Sequence, residues 1–118
     1  MLFRSSYIDS GSNGLFFGNG IFPACSSPNA DFYCPATTQN LSASIRGTNG
    51  ASANVNFSVA NTETLTMNPN FYAFSDLAGE AFDTTTFAWG MPFFYGRSVF
   101  TAIEGMTTPA GTGPFNAF

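Results

Sequence analysis

Histidine and lysine are both missing from this 118-residue chain, and arginine occurs three times, as Arg4, Arg46 and Arg97. Without histidine, no Ser-His-Asp, Cys-His or His-metal arrangement can be built from this chain. Without lysine there is no phosphate-loop lysine. The glycines at 11, 14, 18 and 20 fit neither that loop nor G-x-G-x-x-G. Three scattered cations cannot track a nucleic-acid backbone, which excludes nucleic acid as a partner. No cofactor and no metal is expected. Apolar runs fall well short of the roughly 20 residues of a membrane helix, and Met1 to Ser6 holds no signal-peptide core. The chain as it stands is read as neither spanning a membrane nor carrying its own export signal.

Charge is scarce at 8% while aromatics reach 17%, with Phe present fifteen times; that balance describes an aromatic-rich globule rather than a disordered chain. The length suits one domain, 1–118, with a sizeable core. Phe16, Phe17, Phe57, Phe87 and Phe100 are expected in that core. Phe93-Phe94-Tyr95 and Phe115 to Phe118 are open to a second use, covering a face that another lobe would bury. Cys25 and Cys34 bracket SSPNADFY. A bridge would close a small ring there, and the lack of metal-ligand partners favours it over two free thiols. A lysine-poor chain rich in Ser, Thr, Asn and Gly is common among exported proteins, so an extracytoplasmic or secreted, oxidising location is expected.

Strand and turn patterns dominate, predicting an all-β fold of about six to eight short strands with little helix. Leu41 to Ile45 and Val55 to Val59 alternate apolar with polar around Gly47-Thr48-Asn49-Gly50, a hairpin signal. Thr86 to Trp89, Ser98 to Ile103 and the tail from Pro109 to Phe118 supply further strands. Pro69 to Ala81 is where a turn or two of helix is expected, around Asn70 to Phe74. Asn40-Leu41-Ser42 and Asn56-Phe57-Ser58 read as glycosylation sequons, with meaning only in a eukaryotic secretory host.

The acids Asp9, Asp31, Glu63, Asp76, Glu80, Asp83 and Glu104 are too scattered for a calcium loop. Asp76 to Asp83 reads as a solvated loop with weak cation binding as the alternative. Arg97 is expected to pair with Glu104 or to cap a turn. Asp9 stands apart, following the apolar pair Tyr7-Ile8 and preceding Ser10-Gly11-Ser12. A carboxylate at such a corner can accept bonds from backbone N–H and hydroxyl groups. Gly11 permits a sharp turn and Ser12 can donate to the carboxylate. Those features serve a positioned acid or base, and equally an ordinary Asx-turn.

The segment YIDSGSNGLFF, with AWGMPFFYGRSVF about 80 residues on, resembles a lobe of the pepsin-like aspartic proteases, specifically a C-terminal lobe. Together with the closing PAGTGPF it is more similar still to an uncharacterised family of bacterial, exported, two-lobed pepsin-like proteins. The resemblance implies that the strand ending at Trp89-Gly90 threads beside the Asp loop as a ψ-loop. It further implies that Asp9 is a catalytic aspartate, oriented by Ser10, Gly11 and Ser12, with peptide as substrate. Trp89 is then core beneath the loop. The chain departs from the lobe pattern at Met91-Pro92, where an acidic residue or similar is usual.

Aspartic proteolysis needs two carboxylates sharing a proton, and this chain carries one D-S-G-S. The second must come from a preceding N-terminal lobe or from a homodimer partner; otherwise the lobe is an inactive binding or structural module. The short lead of six residues before Tyr7 favours a preceding lobe.

Overall fold

The computed structural model describes residues 5–18 and 20–118; Met1 to Arg4, read above for charge and export, lie outside the described residues. Ten short strands occur among the described residues. In chain order they are β1 (Ser5–Ile8), β2 (Leu15–Phe17), β3 (Gln39–Arg46), β4 (Ser52–Val59), β5 (Ala78–Gly79), β6 (Thr86–Trp89), β7 (Phe100–Ala102), β8 (Thr107–Thr108), β9 (Gly111–Thr112) and β10 (Phe115–Ala117). The fold is all-β, as expected. The count exceeds six to eight because β5, β8 and β9 are two-residue pairings too short to leave a sequence pattern.

The central sheet has the order β1-β6-β2-β5. Strand β6 lies parallel to β1, with Ile8 opposite Trp89, and antiparallel to β2, with Leu15 opposite the same Trp89. A strand from late in the chain is therefore inserted between two that are consecutive. The segment around Tyr33 extends the far edge: Tyr33 N donates to Ala78 O and Glu80 N to Asp31 O, both at 2.9 Å.

The alternating pattern of β2 turns Leu15 and Phe17 inward together, while Phe16 faces the other way against Phe32. Inside, Phe17, Phe87 and Trp89 form a stack with ring separations of 4.8 and 3.9 Å. Phe57 of β4 meets all three edge-on. Burying each such side chain contributes about 1.5–3 kcal/mol, so this stack is the main anchor between hairpin and sheet. Tyr33 is fully buried, and its hydroxyl is shared between Phe17 O at 2.7 Å and Gly18 O at 2.8 Å. Burial, with the Glu80 carboxylate adding to it, pushes its phenol up to about 12.

The β3–β4 hairpin forms where expected, in full register from Gln39 opposite Val59 to Arg46 opposite Ser52. Its five-residue loop closes by Gly47 N donating to Ala51 O, and Gly50 alone adopts positive φ, at 87°. Four expectations need correction. No helix forms over 69–81; a single turn, α1 (Thr62–Leu65), forms earlier, capped by Asn61 accepting from Thr64 N. Ser98, Val99 and Ile103 lie outside β7, which is only three residues long. Phe100 is 64% exposed rather than core, because β7 pairs only with β10 and no second layer covers that ribbon. Phe93, expected as a possible cover for another lobe, is core at 2% exposure.

Candidate active site

The loop from Asp9 to Gly14 joins β1 to β2 across the end of the inserted strand, and that strand fixes it. Asp9 N donates to Trp89 O at 2.9 Å, and Met91 N donates to Ser12 O at 2.7 Å. Within the loop Ser12 N donates to Asp9 O at 3.3 Å. Gly90 is required between these bonds. A Cβ there would lie 2.1 Å from Gly14 O and 2.7 Å from Ser12 O, backbone atoms that cannot yield as a flexible side chain can. Met91-Pro92 opens a short 3₁₀ turn, Met91–Phe93, which carries the chain away from the loop at once.

The Asp9 carboxylate is held by its own loop. One oxygen, Oδ1, accepts from Gly11 N at 2.9 Å, and the other, Oδ2, accepts from Ser12 Oγ at 2.7 Å. Both bonds favour the charged form, with Ser12 the larger cause, and hold the carboxyl below its ordinary value of 3.8. Ser10 is exposed. Asp9 therefore sits at a strand end, partly exposed and ionised, on a loop clamped by a glycine-tight crossing. Such a carboxylate can accept a proton from a bound water or donate one when paired with a second acid.

Cys25 and Cys34 are bridged, with Cα atoms 4.9 Å apart. Ser26 N, inside the ring, donates to Glu63 Oε1 of α1 at 2.9 Å and ties the loop to that turn. Cys25, Cys34 and Glu63 are the one close group of potential metal ligands among the described residues, and the bridge removes both thiolates from it. The acids of 76–83 do not converge as a cation site would require. Glu80 accepts from Gly20 N, whereas Asp83 accepts from Thr85 and Thr86 and caps its own turn. Arg97 does not pair with Glu104; its guanidinium lies 4.4 Å over the Phe93 ring. The sequon residues face one another across the hairpin, Asn40 opposite Ser58 and Ser42 opposite Asn56.

Among the described residues, grooves of about 660 and 470 Å³ mark the surface, and Asp9 lines neither of these. The larger runs along the hairpin and takes in Trp89, Tyr95 and Arg97; the smaller takes in Asn13, Tyr72 and Met91. Neither groove is written in a local pattern, since the lining of each is drawn from segments far apart in sequence.

The chain belongs to the family described as protein of unknown function (DUF3443), whose model matches residues 1–118. No curated protein and no solved structure matches it.

Proposed function

We propose that the chain is a pepsin-like lobe that supplies one catalytic aspartate, Asp9, to peptide hydrolysis, with the second carboxylate coming from another lobe or a second copy. The carrying observation is the loop geometry. An ionised Asp9 is held by Gly11 N and Ser12 Oγ beside a strand inserted between β1 and β2, the ψ-shaped arrangement that the resemblance implies. In the assembled site, the Asp9 carboxylate takes a proton from water as the water oxygen bonds to the scissile carbonyl carbon. The partner acid protonates the carbonyl oxygen. Collapse of the tetrahedral adduct breaks the C–N bond as a proton passes to the leaving nitrogen. The depressed pKa suits Asp9 to the ionised role in that pair.

Further support comes from shape and surface. The radius of gyration is 15.4 Å, against about 13.5 Å for a compact domain of this length, and Phe100, Ile103 and Met106 are each more than half exposed. The Cys25–Cys34 bridge supports an oxidising, extracytoplasmic location. No helix among the described residues is long and apolar enough to cross a membrane.

Asp83 favours a second reading, an inert binding or structural module. It accepts the same kind of backbone and hydroxyl bonds as Asp9, in a turn with no catalytic context. The test is acid-range cleavage of a peptide by the two-lobed or dimeric protein. Asp9→Asn is expected to abolish it and Asp83→Asn to spare it. Cleavage that survives Asp9→Asn would falsify the catalytic reading.

A further inference from the structure

The larger groove has a charge character opposite to that of the protein around it. The chain carries a net charge of −4, yet none of its seven acids lines this groove, whereas Arg97 does. Its base is apolar and buried: Leu15, Trp89 and Phe93 are each at most 2% exposed. Asn40 and Asn56 of the hairpin, with Tyr95, add neutral donors and acceptors along its length. Arg97 is half-buried, and its partner is the face of Phe93 at 4.4 Å, not a carboxylate. A ring face satisfies the charge of a guanidinium but leaves its N–H donors for a planar acceptor. A volume of about 660 Å³ is that of a small-molecule or short-peptide site.

We propose that this groove binds a carboxylate carried on an apolar body, with Arg97 as the anchor and the half-buried Leu41 and Phe57, above the Trp89–Phe93 base, as the seat of the body. One cation with neutral partners matches a single negative charge, whereas a doubly charged phosphate would call for more cations. The carboxylate can belong to a free aryl or alkyl acid, or to an acidic side chain flanked by apolar residues in a peptide. The site does not depend on Asp9 being catalytic.

Trp89 is the chain's single tryptophan and lies in the groove, so its fluorescence reports occupancy directly. The full chain is titrated with 3-phenylpropionate and its neutral counterpart 3-phenylpropanamide. A second arm uses acetyl-Phe-Glu-Phe-amide and the same peptide with Gln. Saturable binding by a carboxylate form is expected, at least about tenfold tighter than its amide counterpart, with that preference lost in Arg97→Gln and retained in part in Arg97→Lys. Saturation by the free acid alone assigns a small organic acid, and saturation by the Glu peptide alone assigns an acidic peptide. Equal response to acid and amide, no response to either carboxylate, or a preference that survives Arg97→Gln overturns the proposal. If circular dichroism shows Arg97→Gln to be unfolded, salt decides on the unaltered chain: carboxylate binding must weaken as ionic strength rises, and salt-independent binding overturns it.

Discussion

At the residue scale, Asp9 carries the proposed chemistry and Gly90 the tightest local constraint. Ser12 is the chief cause of the depressed Asp9 pKa, so Ser12→Ala is expected to move the Asp9 titration up toward 3.8, read by carboxyl-carbon NMR, while Asp83 stays put. Because the folded value lies below the ordinary one, Asp9 adds stability that is present above 3.8 and is lost as pH falls through the folded value. Asp83 shifts in the same direction through bonds from Thr86 and Thr85, so acid below 3.8, and not milder acid, should loosen both turns together. Gly90→Ala is a harsher change. Its Cβ would meet backbone on both sides of the loop, and a loss of about 3 kcal/mol or more is expected in denaturant unfolding. A loss under 1 kcal/mol would mean that the crossing is looser than the hydrogen bonds of Asp9 and Met91 imply.

Among the elements, the hairpin and the bridged loop are the parts whose stability can be tested alone. Gly50 holds positive φ at the hairpin tip, so Gly50→Ala should cost about 1–2 kcal/mol, with no such penalty at Gly47 on backbone grounds. Opening the ring by Cys25→Ser with Cys34→Ser should cost about 2–3 kcal/mol, measured against the oxidised chain. The hairpin was legible because Leu41, Ala43 and Ile45 alternate with serine and asparagine, a period that one buried face imposes directly on sequence. The helical turn was legible too, but elsewhere than expected. Asn61 followed by Glu63 in the first turn is an N-cap pattern, whereas the Phe-rich 70–74 stretch has aromatics without a cap or a helical stripe. The placement of β6 between β1 and β2 has no local signature. It is set by packing of Phe87 and Trp89 against Phe17 and Phe57, contacts distant in sequence, and only the resemblance implied it. Phe100 was misplaced for the same reason, since strand pattern gives the element but not the layer that covers it.

At the scale of the whole molecule, the question is what meets the face that presents Asp9. One chain holds one such carboxylate, neither groove reaches it, and apolar side chains remain exposed on the β7–β10 ribbon and near it. A stable, inert monomer in sizing chromatography favours the binding-module reading; association through that ribbon favours a shared site, and Phe100→Ser should then shift the equilibrium toward monomer. The most direct test of the half-dyad is the titration of Asp9 itself, followed by carboxyl-carbon NMR in the isolated chain and again in the two-lobed or dimeric assembly. The isolated chain should show one step below 3.8. In the assembly the pair should titrate in two well-separated macroscopic steps, because two carboxylates sharing one proton drive their apparent values apart. A single, unmoved low step for Asp9 in the assembly would contradict the account, since it would mean that no second carboxylate comes within reach.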